Sequence, residues 1–105
     1  LDTNPLHLDE EFAAQTRFAR RICPGMLYSS LLSAVIGTQL PGPGTIYVKQ
    51  TLRFLKPVFI GDEITAVVTV AKLLPARQMA ILTTECFNQE QVGVVRGEAI
   101  VLYPV

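Results

Sequence analysis

The feature that most constrains the fold of this chain is a run without any charged side chain, from Ile22 to Val48. Within it, residues 26–36 place apolar side chains around nearly the whole circumference of a helix, with small residues between them. A helix of this kind has to be surrounded by protein, so we predict that it is the central helix of the fold, with Gly37 as its C-terminal cap. The Pro/Gly cluster at 41–44 and several serines interrupt the run well short of a membrane-spanning length.

The residues on either side of this helix show different periodicities. Before it, acidic residues followed by apolar ones predict a short helix from about Asp9 to Thr16. After it, apolar and polar residues alternate with a period of two, which is typical of strands with one buried face. Four strands are predicted, at 46–54, 64–70, 79–87 and 92–103, with a hairpin turn at 88–91 between the last two.

Helices followed by strands indicate an α+β fold, in which a curved antiparallel sheet wraps around the uncharged helix. Four strands cover such a helix poorly and leave a sheet edge unpaired. Either an N-terminal strand is missing from this sequence or a second subunit supplies the contact, and we predict a homodimer. A chain of 105 residues supports one hydrophobic core, so residues 1–105 are predicted to form a single domain.

Charge and cysteine usage exclude several classes of partner. Nine Lys and Arg balance nine Asp and Glu, so no bulk positive charge draws the chain to nucleic acid or to an acidic membrane. The two cysteines, Cys23 and Cys86, lack the spacing of a metal site or a disulfide framework, which predicts free thiols in a reducing compartment and no metal. No targeting signal is present in the sequence; we expect the cytoplasm, or an organellar matrix in a eukaryote.

The single histidine lies in a short segment together with other polar side chains, Asp2, Asn4 and His7. Pro5 fixes its own φ and pushes Asn4 toward an extended conformation, so the segment is predicted to be a stiff loop. An acid and an imidazole on such a mount can share one water molecule. On spacing alone, the commoner role for these residues is structural, with Asp2 or Asn4 capping a turn and His7 packing at a helix start.

A second candidate site is the start of the uncharged helix at Pro24-Gly25. Unpaired backbone N–H groups and the positive end of the helix dipole can stabilise an oxyanion there, although Pro and Gly also simply precede many helices. Ser33 has no candidate base in a nucleophile-elbow setting, so it is not predicted to be a nucleophile. Three arginines before this helix either bind a phosphate-bearing ligand or form a solvated loop: Arg17, Arg20 and Arg21.

Taken together, these segments resemble the MaoC-like (R)-specific enoyl-CoA hydratase family, also called hydratase 2. The resemblance covers almost the whole chain, and its most specific part is the Asp-x-Asn-Pro-x-His segment at 2–7. The other matching segments are Phe12-Ala13, Pro24-Gly25-Met26-Leu27, the segment 37–42, Arg53-Phe54 with Pro57-Val58, and Gly61-Asp62-Glu63. The resemblance implies a hot-dog fold, in which an antiparallel sheet wraps a long central helix, usually as a dimer.

The same resemblance implies an activity and residue roles. The family adds water reversibly across a trans-2-enoyl thioester of coenzyme A or acyl carrier protein, giving the (R)-3-hydroxyacyl thioester, with no cofactor or metal. Asp2 and His7 match the catalytic pair, and Gly25 matches the glycine whose N–H holds the thioester oxygen. Asn4 matches a supporting motif position, and Ser33 falls where the central helix borders the acyl pocket.

Two departures from the family pattern leave other functions open. Pro24 stands where the family typically has His, and the strand and helix that precede the Asp motif in the family are missing from this sequence. The alternative is therefore a non-catalytic hot-dog module that binds acyl thioesters or only dimerises. A hot-dog thioesterase is disfavoured, because its hydrolytic carboxylate normally lies on the central helix and residues 26–36 contain none.

Overall fold

The computed structural model describes residues 2–104. Its elements are the helices α1 (Pro5–Leu8), α2 (Glu10–Ala14) and α3 (Gly25–Thr38), followed by the strands β1 (Ile46–Gln50), β2 (Arg53–Phe54), β3 (Thr65–Leu74), β4 (Met79–Phe87) and β5 (Gly93–Leu102). Helices precede strands, as the change of periodicity predicts. None of the helices in this part of the chain is long and apolar enough to cross a membrane.

The strands form one antiparallel sheet with the order β1-β5-β4-β3, and β2 also pairs with β5. The predicted hairpin between β4 and β5 is confirmed, with the N–H of Asn88 donating to the carbonyl of Val92 and the N–H of Gln91 donating to the carbonyl of Asn88. Strand β3 is longer than the predicted 64–70 and reaches the short 3-10 turn that begins at Pro75. The three long strands β3, β4 and β5 therefore pair through two consecutive hairpins.

The predicted strand at 46–54 is divided into β1 and β2. Gly97 of β5 lies against the carbonyl of Thr51, and a Cβ at position 97 would overlap that oxygen. At this point Thr51 makes two hydrogen bonds to Glu98 in place of the regular strand pairing. The N–H of Thr51 donates to the carbonyl of Glu98 at 2.9 Å, and the N–H of Glu98 donates to Oγ1 of Thr51 at 3.0 Å. Alternation of residue types predicts that this segment is extended. The break between β1 and β2 depends on a close approach between two strands distant in sequence, which alternation does not reveal.

Helix α3 buries one face against the sheet. Its buried residues are Tyr28, Ser29, Leu32 and Ile36. On other faces, Met26 is 69% exposed, Leu27 63% and Leu31 39%. The prediction that protein surrounds this helix on all sides is therefore wrong for the single chain, because the sheet covers only one of its faces.

Two clusters of buried side chains connect α3 to the sheet. Leu32 belongs to a cluster with Tyr28, Val58, Cys86, Val94 and Val95. Ile36 belongs to another with Ala80, Leu82, Ala99 and Val101. Both cysteines are free thiols, and burial raises the pKa of Cys86 to about 11, so this thiol packs as a neutral apolar group at neutral pH.

Two predictions about local structure are corrected. Gly37 is an interior residue of α3, not its cap, and the helix continues to Thr38 before Pro41, whose ring removes the N–H that a longer helix needs. The segment before α2 is not wholly a loop, because Pro5–Leu8 form one helical turn. Asn4 caps that turn by accepting the N–H of Leu6 at 3.0 Å, and proline suits the first helical position.

The packing of α3 can be tested with two adjacent leucines. Leu32→Asp should abolish cooperative folding, because it places an unpaired carboxylate in an apolar core. The free-energy cost of several kcal/mol is comparable to the free energy of unfolding of a small domain. Leu31→Asp is the matched control, since Leu31 is 39% exposed and its carboxylate would stay in water. Thermal unfolding followed by circular dichroism should show a cooperative transition for the control alone, and a cooperative transition in Leu32→Asp would contradict the packing.

Candidate active site

Two side-chain hydrogen bonds within residues 2–7 fix the backbone from which Asp2, Asn4 and His7 project. The carboxylate of Asp2 accepts the N–H of Asn4 through Oδ1 at 3.0 Å. The side chain of Asn4 in turn caps α1, which carries His7 in its only turn. Asn4 does not line the cavity described below, so its contribution is to fix the backbone between the acid and the imidazole.

The geometry of His7 defines which of its ring nitrogens is available. The side chain is only 12% exposed, and Nδ1 lies 2.8 Å from the carbonyl oxygen of Ile22. A carbonyl oxygen only accepts, so Nδ1 carries the hydrogen and donates it. In the neutral ring the lone pair is then on Nε2, which faces Oδ2 of Asp2 at 3.7 Å. This distance is too long for a direct hydrogen bond but allows one water molecule to bridge the two atoms.

His7 and Gly25 line the same cavity, which has a volume of about 380 Å³. Its walls come from the helical N-terminal segment, the residues leading into α3 and the loop that follows β2. Most of its lining side chains are apolar, and no Asp or Glu is among them. The structure thus brings together two candidate residues that are 18 positions apart in the sequence.

Gly25 is the first residue of α3 and follows Pro24, the N-cap, whose φ is −57° and ψ 131°. The first N–H groups of a helix have no acceptor within it, so the N–H of Gly25 is available at the positive end of the helix dipole. A Cβ at this position would overlap Cε1 of Phe54 and lie 2.8 Å from its Cζ. A side chain at position 25 would therefore have to displace this aromatic ring, which also packs edge to face on Tyr28.

Ser33 lies apart from this cavity. It lines a second cavity of about 440 Å³ between α3 and β1, whose other walls include Ser29, Ser30 and Leu52. Met26 lines both cavities, so the two are neighbours on either side of its side chain. The site predicted as one unit consequently has two parts, one with His7 and Gly25 and one with Ser33.

Cys23 lines the His7 cavity without being suited to attack a ligand. Burial, and after it the charge of Asp62, raises the pKa of the Cys23 thiol above its ordinary value. The thiol is therefore protonated at neutral pH, and a protonated thiol is a poor nucleophile. Within residues 2–104, no group of three or more His, Cys, Asp or Glu side chains is arranged to hold a metal ion.

Sequence reasoning missed two contributors to the site. The carbonyl of Ile22 orients the His7 ring, and the ring of Phe54 packs on Gly25. Ile22 contributes a backbone atom from 15 residues away, so its side-chain type carried no signal. Phe54 lies in a segment that matches the family pattern, and this match was the one available indication of its importance.

Known proteins are similar to this chain over nearly its whole length. A profile of the MaoC like domain matches residues 1–87. The (R)-specific enoyl-CoA hydratase of Aeromonas caviae is 52% identical over 103 residues, covering 98% of this chain and 77% of that protein. The protein of the same name from Rhodospirillum rubrum is 49% identical over 104 residues, covering 99% of this chain and 72% of that one.

A solved structure of the (R)-hydratase from A. caviae involved in PHA biosynthesis matches with a TM-score of 0.94 at 52% identity, covering 98% of this chain and 78% of that one. An antiparallel sheet packed on one long helix, matching that structure so closely, defines a hot-dog protein, and the predicted fold is confirmed. The chain belongs to the MaoC-like domain family.

Two glycines of α3 provide a test of the packing at the site. Gly25→Ala should lower the free energy of unfolding by about 1–3 kcal/mol, because the new methyl group displaces the Phe54 ring. Gly37→Ala, the control, adds a Cβ that meets nothing within 4 Å beyond its chain neighbours and the backbone of its own helix, and it should raise this free energy by about 0.5–1 kcal/mol through helix propensity. Urea unfolding of both variants measures the two signs, and stabilisation by Gly25→Ala would refute the contact.

Proposed function

We propose that this protein adds water reversibly to trans-2-enoyl thioesters, giving (R)-3-hydroxyacyl thioesters, and that it is a lyase of fatty acid metabolism acting through residues 1–105 as one domain. The observation that carries the proposal is the Asp2–His7 pair, with a free Nε2 lone pair 3.7 Å from a carboxylate oxygen, next to a cavity that Gly25 also lines. Relatives at about half identity that are named (R)-specific enoyl-CoA hydratases support it.

The first step is activation of water. A water molecule between Nε2 of His7 and Oδ2 of Asp2 attacks C3 of the enoyl group, and Nε2 takes a proton from it as the C3–O bond forms. The Ile22 carbonyl keeps the ring oriented by accepting from Nδ1 throughout. The Asp2 carboxylate orients the water, and its negative charge stabilises the imidazolium that forms.

The second step is stabilisation of the enolate and its protonation. As water adds, the electrons of the C2–C3 double bond move onto the thioester oxygen. The N–H of Gly25 and the dipole of the 14-residue helix α3 stabilise that negative charge. The imidazolium of His7 then returns its proton to C2, so that H and OH have been added across the double bond and the enzyme is restored. Dehydration is the same sequence in reverse.

We assign the second cavity to the acyl chain, with Ser33 on its wall. Met26, Val48 and Leu52 give this cavity an apolar wall beside its polar residues, and Met26 also lines the cavity of the reacting atoms. Exposed apolar side chains of α3 and β1 support a homodimer, since a second copy would remove them from water. They include Leu27, Ile46 and Val48, which are 63%, 60% and 55% exposed.

The second candidate function is a non-catalytic module that binds acyl thioesters. Pro24 favours it, because proline has no N–H and cannot add a second donor beside Gly25. The same residue also begins the helix well, since its fixed φ suits the entry into α3 and leaves the Gly25 N–H free. The two functions differ in whether one oxyanion donor is sufficient.

Substitution of the catalytic pair tests the hydratase function. Asp2→Asn and His7→Ala should each lower kcat for hydration of crotonyl-CoA by about a hundredfold or more, the range of general acid–base catalysis. Glu11→Gln, which neutralises an exposed acid of α2, is the matched control and should leave kcat unchanged. If either site variant hydrates at the parental rate with an unchanged circular dichroism spectrum, the assignment of the pair is wrong.

Substitution of Pro24 decides between the enzyme and the module. If the Gly25 N–H suffices, Pro24→His should change the hydration rate by no more than about tenfold. An inactive parent that Pro24→His activates by about a hundredfold or more would show that position 24 has to contribute to the oxyanion site. Absence of activity in both proteins, with intact binding of the thioester, would favour the module.

A further inference from the structure

The cavity that contains His7 has a local positive charge although the chain is neutral overall. Arg17 and Lys56 both line it, and no acidic residue does. Neither of these two cations forms an ion pair with a carboxylate of residues 2–104. The cavity thus has two cations without a protein counter-charge in direct contact.

The other two arginines of the same loop are not among the residues that line this cavity, and their side chains contact other groups. Arg21 donates to a carboxylate oxygen of Glu10 at 2.7 Å. The guanidinium of Arg20 lies 3.7 Å from the centre of the Phe59 ring, in a cation–π contact. Arg17 also has an aromatic neighbour, with its guanidinium 5.0 Å from the centre of the Phe18 ring, but both of these residues line the cavity. Of the three arginines that the sequence marks as candidates for a phosphate, Arg17 is therefore the one placed to contact a ligand of this cavity.

Hydrogen bonds fix the main chain at both of these exposed residues. The hydroxyl of Thr16 donates to the carbonyl of Ala13 at 2.7 Å and accepts the N–H of Phe18 at 3.3 Å, which fixes the main chain on both sides of Arg17. Lys56 follows β2, and its N–H donates to the carbonyl of Val94 in β5 at 3.4 Å. The two cations come from loops separated in sequence, and the fold brings them to one cavity.

We propose that Arg17 and Lys56 form a phosphate subsite, and that it binds the phosphate at the end of the pantetheine arm that carries the acyl thioester. The proposal rests on the proposed function: a thioester whose carbonyl reaches Gly25 has its sulfur substituent in the same cavity, and this arm ends in a phosphate on coenzyme A and on acyl carrier protein alike. A guanidinium and an ammonium suit that group, the first as a planar fork of donors and the second as a point charge.

A binding experiment that needs no turnover tests the subsite directly. Arg17→Gln and Lys56→Gln should each weaken binding of free coenzyme A by about tenfold, as expected for loss of one charge-assisted contact. Binding of pantetheine, which has no phosphate, should not change. Isothermal titration calorimetry measures both. Arg77→Gln is the matched control, because it removes an exposed positive charge from the turn between β3 and β4.

The expected kinetic signature is a change in KM without a change in kcat. Both variants should raise KM for crotonyl-CoA by about tenfold while kcat and the KM for crotonyl-pantetheine stay at the parental values. Arg17→Lys, which keeps the charge, should recover part of the loss. Equal losses with crotonyl-CoA and crotonyl-pantetheine would show a purely structural role and overturn the proposal, and so would parental KM values for both substrates.

Truncated ligands identify which phosphate is bound. Dependence on Arg17 and Lys56 that persists with dephospho-coenzyme A and with phosphopantetheine supports the phosphate of the pantetheine arm. Dependence that disappears with dephospho-coenzyme A would assign the cations to the ribose phosphate and overturn the proposal as stated. A thioester on acyl carrier protein extends the test to the second carrier. If Arg17→Gln and Lys56→Gln raise its KM by the same factor as that of crotonyl-CoA, the subsite binds the phosphate of both carriers.

The two proposals fail in different ways. If the parent binds coenzyme A through Arg17 and Lys56 but hydrates no enoyl thioester, the subsite stands and the hydratase function fails. If the parent hydrates crotonyl-CoA and both variants bind coenzyme A as tightly as the parent, the function stands and the subsite fails.

Discussion

The backbone at Ile22 and Cys23 is the connection on which the site depends. The carbonyl of Ile22 accepts from Nδ1 of His7, its N–H donates to the carbonyl of Leu6, and the N–H of Cys23 donates to the carbonyl of Val58. These three hydrogen bonds join the N-terminal segment, the entry to α3 and the loop before β3. The N-terminal segment supplies His7 to the site, and the entry to α3 supplies Gly25. The backbone at Ile22 and Cys23 connects these two parts, so it sets the geometry of the site.

Packing of α3 determines where the reacting groups meet. One face of the helix is anchored by Leu32 and Ile36 in the core, and this fixes the position of its first residue, Gly25. The position of an oxyanion site at a helix N-terminus depends on the position of the helix, because the N–H donors belong to its first residues. The ring of Phe54 packs on the backbone there and favours glycine at that position, so the fold and the proposed chemistry both act on the same residue.

Charge in this molecule acts locally. The formal net charge is zero, and solvent and salt screen distant charges, so recognition of an anionic carrier depends on a few cations near the cavity. Sequence identified three arginines and could not choose among them. The structure distinguishes them by position: Arg21 pairs with Glu10 and Arg20 stacks on Phe59 away from the cavity lining, whereas Arg17 and its aromatic neighbour Phe18 both line the cavity.

The sequence by itself determined the elements and the candidate residues. Periodicity located the long helix and the strands, since side-chain alternation is a local property, and the motif at 2–7 indicated the Asp2–His7 pair with Asn4 between them. Only the tertiary structure decided that α3 is covered on one face, that the first strand breaks at Thr51, that Ser33 lies in a separate cavity and that Ile22 orients His7. Each of these depends on atoms that are far apart in the chain, several of them backbone atoms, whose approach leaves no local pattern in the residue types.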